Sequence, residues 1–174
     1  MLSRIGLVSD THGVFDQALE AAFEGVDLII HAGDVGHHGG HEAVLDALQS
    51  IAPTEAVRGN VDNGACLTAL PESRLVTHQG WRILIVHIVG SPPAKVDKAA
   101  AALVEAHQPD IVVFGHSHKF SVTQDAKVLY INPGSAGPAR FKLPRTAAVL
   151  TLPAKVRCCG LLLTRPRGAD ADGV

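Results

Sequence analysis

The chain has 174 residues, enough to bury one hydrophobic core without disulfides or oligomerisation. Its net charge is -2 with neutral histidines, which excludes a general basic field that would attract nucleic acid or an anionic membrane. No apolar stretch approaches the roughly 18 residues of a membrane span, and the N-terminus lacks an export signal. We predict one domain over residues 1–163, a disordered tail over residues 164–174, and neither export nor membrane insertion.

The composition predicts an aliphatic core, because 47% of the residues are hydrophobic and only 4% are aromatic. Such a core is typical of sheets covered by helices. The three cysteines are odd in number and two are adjacent, so we predict reduced thiols and a cytoplasmic location rather than a disulfide framework. Cys158 and Cys159 have no partners at zinc-finger spacing, so we place them in the core or at a sheet edge.

The first 60 residues repeat the order strand, loop, helix. Apolar runs predict buried strands at residues 5–8, 27–32 and 54–57, and helical spacing predicts helices at residues 15–24 and 41–50. This alternation favours a βαβ arrangement with a largely parallel sheet.

Beyond Pro71 the pattern changes. Residues 74–77 and 81–87 flank Gln79-Gly80 and predict a hairpin. A helix at residues 96–107 and a buried strand at residues 111–114 follow. Antiparallel strands are then predicted at residues 121–123, 128–131, 147–152 and 156–163.

The first strand ends in Asp10-Thr11-His12. If strand geometry persists there, the carboxylate and the imidazole leave on the same face and offer a mixed oxygen and nitrogen ligand set to a metal. A capping Asp followed by a turn His explains the same residues without a metal. The later strands decide between these interpretations.

Five predicted strands end in polar groups of the same kind. The residues concerned are Asp10, His12, Asp34, Asn60, His87, His116 and His118. The carboxyl ends of parallel strands lie at one edge of a sheet, so we expect these side chains to meet. Seven oxygen and nitrogen donors suit two metal ions that share a carboxylate, whereas a single structural zinc needs only four and favours Cys.

The ordered motifs resemble those of the calcineurin-like metallophosphoesterases. They are Asp-x-His at 10–12, Gly-Asp at 33–34, Gly-Asn-x-Asp at 59–62, a lone His87, and Gly-His-x-His at 115–118. The short length and the later Asn-Pro-Gly-Ser at 132–135 with Arg140 are similar to the small bacterial and archaeal branch of cytosolic phosphodiesterases. The resemblance covers residues 5 to 140.

The resemblance implies an α/β fold, a two-sheet β sandwich flanked by helices in four αββα layers. It implies a hydrolase of small phosphoesters, most readily a phosphodiesterase, in which a metal-bridging hydroxide attacks phosphorus. Asp10, His12 and His118 would hold one ion, Asn60, His87 and His116 the other, and Asp34 would bridge them. We expect two divalent ions, Mn²⁺ ahead of Fe, Ni or Zn, a choice that the ligand set leaves open.

One departure concerns the general acid. Many members of the wider family have His between the Asn and the last acid of the third motif, where this chain has Val61. Val cannot donate a proton, so we expect poorer hydrolysis of monoesters with basic leaving groups than of diesters or activated aryl esters. His37 and His38 follow Asp34 closely and are either a stand-in acid or part of a solvated loop.

Other polar residues have two interpretations each. Arg58 and Arg140 would either bind a substrate phosphate or form surface salt bridges. Asn132 and Ser135 form a turn or support the site, and Asp62 caps a helix or supports the site. The remaining histidines match no family ligand, and we take them as structural or solvated: His31, His41, His78 and His107.

The alternative function is a scaffold of the same fold that binds protein partners without turnover. Loss of the histidine in the opening motif would favour the scaffold, and this chain keeps His12. A nuclease would use the same chemistry but needs a basic groove, of which the net charge gives no sign. The physiological substrate and the oligomeric state stay open.

Overall fold

A computed structural model describes residues 2–36, 40–63, 69–139 and 142–152, together with the backbone of residues 157–162. Within these residues the helices are α1 (Ala18–Ala22), α2 (His41–Ile51) and α3 (Lys98–His107). The strands are β1 (Ser3–Val8), β2 (Leu28–His31), β3 (Thr54–Ala56), β4 (Ser73–His78), β5 (Trp81–Val86), β6 (Gly90–Ser91), β7 (Lys95–Val96), β8 (Ile111–Val113), β9 (Ser121–Asp125), β10 (Val128–Asn132), β11 (Thr146–Leu152) and β12 (Arg157–Leu162).

The long strands form two five-stranded mixed sheets. The first has the order β12-β11-β1-β2-β3, in which β1, β2 and β3 are parallel. The second has the order β4-β5-β8-β10-β9, in which β5, β8 and β10 are parallel. Antiparallel strands extend both sheets, and β6 with β7 forms a small separate ribbon.

An aliphatic core lies between the two sheets. It joins Ile5 and Ile30 of the first sheet to Ile85 and Val113 of the second, all with no exposed surface. The outer face of the first sheet packs against α1 and α2, and the outer face of the second packs against α3. These four layers confirm the αββα sandwich.

The parallel sheet predicted from the first 60 residues is confirmed for β1, β2 and β3, and the later parallel strands β5, β8 and β10 lie in the second sheet. Strands buried on both faces have continuous apolar sequences whichever sheet they join, so periodicity does not tell which sheet a strand belongs to. The division matters for the site, since the ends of β1, β2 and β3 face those of β5 and β8 across one edge of the sandwich.

Most local predictions agree with the structure to within two residues. Gln79 and Gly80 both have positive φ, 48° and 84°, as the tight turn of a hairpin requires. Helix α3 begins two residues later than predicted because the Asp97 side chain accepts the Ala99 and Ala100 N–H groups as its N-cap. Helix α1 is shorter than predicted, since the Asp16 carboxylate accepts the Ala18 N–H and ends the preceding loop there.

Three expectations concern residues beyond these ranges. The tail at residues 164–174 and Cys66 lie outside the described part of the chain, and for Cys158 and Cys159 only the backbone of β12 is described. In the described residues, no helix has the length and apolar character needed to cross a membrane.

Candidate metal centre

The structure brings the seven strand-end side chains into two adjoining groups at one edge of the sandwich. Asp10, His12 and His118 form the first group, and within it the candidate ligand atoms lie within 4.8 Å of one another. The second group, which meets the same limit, consists of Asp34, His87 and His116. Asn60 joins it, with Oδ1 3.1 Å from His87 Nε2 and 2.9 Å from His116 Nδ1.

The backbone of the first group is not that of a strand. Strand β1 ends at Val8, and Asp10 and His12 have φ values of 55° and 50°. Strand geometry therefore does not persist to His12, although the two side chains do converge. Backbone hydrogen bonds of 3.0 Å from Asp10 N–H to Gly33 O, and from His12 N–H to Asp34 O, hold this loop against the loop after β2.

The donors of the first group fit a cation. Asp10 Oδ1 lies 3.3 Å from His118 Nε2, and His12 Nε2 lies 3.4 Å from His118 Nε2. Two imidazole nitrogens at this separation cannot both direct a proton at each other, whereas a metal ion between them accepts both lone pairs. One carboxylate with two imidazoles is also a ligand set that divalent transition metals bind.

The Asp10 carboxylate is fixed from the protein side. It accepts the His116 N–H at 3.1 to 3.2 Å and the Ser9 hydroxyl. The backbone carbonyl of Asp10 accepts the Ser135 hydroxyl at 3.0 Å and the Gly137 N–H at 3.1 Å. Asp10 is thus oriented by three separate segments of the chain.

In the second group, His87 presents Nε2 to the acids. Its Nδ1–H donates to the Ala32 carbonyl at 2.7 Å, which leaves Nε2 3.3 Å from Asp34 Oδ1. Burial alone would raise the pKa of Asp34, but His87 and the Val61 N–H outweigh burial and lower that pKa. Burial likewise opposes the charged form of His87, yet Asp34 raises the pKa of His87 above its usual value. The lowered pKa of Asp34 and the raised pKa of His87 both show that this site stabilises a positive charge next to the ionised Asp34 carboxylate.

Candidate ligands in both groups adopt a backbone conformation that L-residues rarely use. Five of the seven have a positive φ: Asp10, His12, Asp34, His116 and His118. Each such residue costs on the order of 1–3 kcal/mol, and it persists only where the surroundings enforce it. This strain is concentrated at the sheet ends, which marks that edge as the functional part of the sandwich.

His31 contributes more than its sequence position suggests. The Gly33 N–H donates to His31 Nδ1 at 3.2 Å, so the neutral ring donates its Nε2–H to Thr11 Oγ1 at 2.9 Å. The Thr11 hydroxyl then donates to the Val35 carbonyl at 2.9 Å. Burial lowers the pKa of His31 to about 4, against partial compensation by Asp62 and Asp10, so the ring is neutral near pH 7.

The chain from His31 through Thr11 ties together the two loops that carry Asp10, His12 and Asp34. The structure assigns His31 the structural role, one of the two predicted for it, and adds Thr11, which no sequence motif singles out. The available signal was a histidine in the otherwise apolar run at residues 28–32, where a buried imidazole needs partners for both nitrogens.

Asp62 supports the site rather than capping a helix. Its carboxylate is 1% exposed and accepts the N–H groups of Val35, Gly36 and Gly59 at 2.7 to 3.1 Å. It therefore fixes the loop after Asp34 against the loop before Asn60.

Asn132 and Ser135 satisfy both interpretations that the sequence left open. Asn132 Oδ1 accepts the Gly134 N–H in a tight turn, while its Nδ2 donates to the Gly115 carbonyl at 2.8 Å. Ser135 contacts the Asp10 backbone, so this turn supports the loops of His116 and Asp10.

Two glycines are required by close packing around the second group. A Cβ on Gly33, which has a φ of 92°, would lie 2.6 Å from His87 Nδ1. A Cβ on Gly59 would collide with the backbone and carboxylate of Asp34.

The remaining candidates lie at the margin of the site or outside the described residues. The Arg58 guanidinium pairs with Glu72, and both side chains are partly exposed. The Val61 N–H donates to Asp34 Oδ1 at 3.1 Å. His37, His38 and Arg140 are outside the described residues.

Two groups of carboxylate and imidazole donors at the edge of an αββα sandwich are candidate metal-binding sites. Residues 3–155 match the calcineurin-like phosphoesterase superfamily domain, and the chain belongs to that superfamily.

Two archaeal proteins are similar to it in sequence. A probable metallophosphoesterase of Methanothermobacter thermautotrophicus is 31% identical over 146 residues, which cover 80% of this chain and 81% of that protein. One from Methanocaldococcus jannaschii is 31% identical over 145 residues, which cover 80% of this chain and 71% of that protein.

Solved structures share the fold at lower identity. A predicted phosphoesterase from Streptococcus pneumoniae superposes with a TM-score of 0.70 at 20% identity, over 93% of this chain and 90% of that one. Vps29 from Chaetomium thermophilum superposes with a TM-score of 0.72 at 19% identity, over 94% of this chain and 98% of that one. Likeness at this level of identity establishes the fold alone.

Proposed function

We propose that the chain hydrolyses phosphoesters, preferring diesters and activated aryl esters, with two divalent metal ions at the edge of the sandwich. The observation that carries this proposal is the convergence of two carboxylate and imidazole groups from different sheets, whose atoms lie within 4.8 Å in each group. A cytoplasmic location belongs to the same proposal and rests on the odd, partly adjacent cysteines.

The first ion is assigned to Asp10, His12 and His118, and the second to His87, His116 and the amide oxygen of Asn60. Asp34 is assigned to both, because it contacts His87 directly and His12 is close enough to lower its pKa. Mn²⁺ is our first choice for the metal, followed by Fe, Ni and Zn. Such ions supply activated water near neutral pH and positive charge opposite the phosphoryl oxygens.

The protein groups then have defined tasks. Ser9 and the His116 N–H orient the Asp10 carboxylate, and the Ala32 carbonyl fixes the tautomer of His87. Asp62 holds the loop after Asp34 against the loop before Asn60. Arg58 lines the same cavity as Asn60 and is our candidate for a substrate contact. Its salt bridge with Glu72 is solvent-exposed and therefore contributes little energy, so Arg58 can exchange Glu72 for a phosphate.

Val61 sets the substrate preference in this proposal. Its side chain has no proton to give to a departing alkoxide, so the rate depends on the stability of the leaving group. Hydrolysis of aryl phosphates with graded leaving-group pKa, in Mn²⁺, should slow as that pKa rises. A rate independent of the leaving group would contradict this part of the proposal.

The second candidate function is a scaffold that binds proteins. The observation in its favour is the fold shared with Vps29, a protein named for vacuolar protein sorting, including a Chaetomium thermophilum Vps29 complexed with a cyclic peptide. His12 and the full donor set favour the enzyme. A purified sample that binds Mn²⁺ but hydrolyses neither diesters nor monoesters would favour the scaffold.

A further inference from the structure

A cavity of about 950 Å³ opens beside the second ligand group. His87 and Asn60 form the wall nearest the site, and Val86 of β5 continues that wall along the outer face of the second sheet. The opposite wall is one side of α3, with Ala102 and Leu103 among its residues. The cavity is therefore continuous with the candidate metal centre and extends away from it over apolar surface.

The charged groups that line the cavity leave its interior apolar. Asp62 accepts three loop N–H groups, and Asp97 caps α3. Arg58, the candidate phosphate contact beside Asn60, pairs with the exposed Glu72. Among the described lining residues, the surface that remains for a ligand is mainly Val86, Ile88 and the alanine and leucine side chains of α3.

The lining also limits the type of ligand. Described residues of the cavity include no Phe, Tyr or Trp on which a nucleobase would stack. The volume falls in the range of about 300–1,000 Å³ that is usual for small-molecule sites.

We infer that this cavity binds the apolar organic group of the substrate, so that the enzyme acts on alkyl or aryl phosphoesters in preference to sugar phosphates and nucleotides. This inference rests on the proposed function, because it places the phosphoryl group at Asn60 and His87. The organic group then extends along Val86 and Leu103.

The test uses n-alkylphosphonates, which hydrolysis does not cleave. Methyl-, butyl- and hexylphosphonate are titrated into the Mn²⁺-loaded protein, and affinity is measured by calorimetry. Each methylene buried in an apolar pocket strengthens binding about fourfold, so butylphosphonate should bind roughly 60-fold more tightly than methylphosphonate. 3-Hydroxypropylphosphonate, of similar length but with a polar end, should lose most of this gain.

Two matched variants of α3 test whether the cavity causes the gain in affinity with chain length. Ala102→Trp fills the cavity and should remove the gain in affinity with chain length. Ala101→Trp places the same side chain at the neighbouring exposed position of α3, which does not line the cavity, and should keep the gain. Ala106→Trp fills the cavity from another position and provides a second, independent block.

Affinity that does not change with chain length would overturn the inference, as would equal losses in the Ala101 and Ala102 variants. If either result is found and the protein still hydrolyses bis(4-nitrophenyl) phosphate, the proposed function stands and only the role of the cavity is contradicted. Chain-length-dependent binding with no hydrolysis of any ester would instead support the pocket and contradict the proposed function.

Discussion

The two ligand groups differ in how they meet solvent. In the first group Asp10, His12 and His118 are 0%, 8% and 7% exposed, so the loops around them close the site on most sides. In the second group His116 is exposed and His87 borders the large cavity. In the proposed two-metal site, the first group is therefore the more enclosed, and the second is the one open to a substrate.

The two groups also differ in how they are fixed. All three members of the first group have positive φ, and hydrogen bonds from Ser9 and Ser135 to Asp10 and from His31 to Thr11 hold the loop that carries Asp10 and His12. Side-chain contacts fix more of the second, through the Asn60 amide and the Asp62 carboxylate. Substitutions in the first group should therefore affect metal retention most, and those in the second should affect turnover.

The largest expected effects are those of His118→Ala and His116→Ala, which should differ in the metal content of the purified protein. Each substitution by Ala should lower phosphodiesterase activity about a thousandfold, since each removes a donor that positions charge at the phosphoryl group. Metal analysis after gel filtration should distinguish them. His118→Ala should lose the ion of the closed first group, whereas His116→Ala should retain it. Equal metal content in the two variants would contradict the difference between the groups.

Gly59→Ala should be the next most damaging substitution. The added Cβ collides with Asp34, so we expect a loss of about a hundredfold in kcat and a destabilisation of about 1–3 kcal/mol. Gly80→Ala is the control, because a Cβ there contacts nothing within 4 Å, whereas its φ of 84° adds backbone strain that Gly59 does not have. Assays and urea unfolding of both variants provide the check. Similar kcat losses in both would mean that the effect comes from general strain.

His31→Gln should alter the pH dependence of stability. His31 has a pKa of about 4 in the folded protein against 6.5 unfolded, so the unfolded chain binds more protons between these values. The contribution of neutral His31 is complete above about pH 6.5 and declines as the pH falls toward 4.

From pH 7 to pH 5 the wild type should therefore lose about 2 kcal/mol more stability than His31→Gln. Urea unfolding at the two pH values measures this difference. Parallel losses in the two proteins would show that His31 is not the buried neutral group described here.

Val61→His should have the smallest effect of the set. A histidine beside Asn60 restores a proton donor near the second group, so hydrolysis of a monoester with a basic leaving group should rise about tenfold or more. Rates with 4-nitrophenyl esters should change little, because that leaving group needs no proton. Val61→Leu is the control for bulk. An equal gain with Leu would remove proton donation as the explanation.

Local sequence patterns predicted the elements well. The hairpin around Gln79-Gly80 and the strand before His116 were predicted almost to the residue, since they depend on turn chemistry and apolar runs. The family resemblance, rather than periodicity, supplied the second sheet. The convergence of the seven strand-end side chains followed from the rule that ligands bind at the carboxyl ends of strands.

The details that escaped prediction depend on contacts between distant residues. The left-handed conformation at Asp10 and His12 is enforced by the loop after β2, more than 20 positions away. The hydrogen bonds of His31 to Thr11, and of Asp62 to Val35, span similar separations. No local pattern contains these pairs, so they follow only from the assembled fold.

Asp34 is proposed to serve both metal ions, and Asp34→Asn tests this assignment most directly. Asn keeps the size of the side chain but removes the negative charge, so hydrolysis of bis(4-nitrophenyl) phosphate in Mn²⁺ should fall at least about a hundredfold. Chelation of the wild type by EDTA should abolish the same activity, and Mn²⁺ should restore it. Activity of Asp34→Asn within a factor of two of the wild type would contradict the two-metal account.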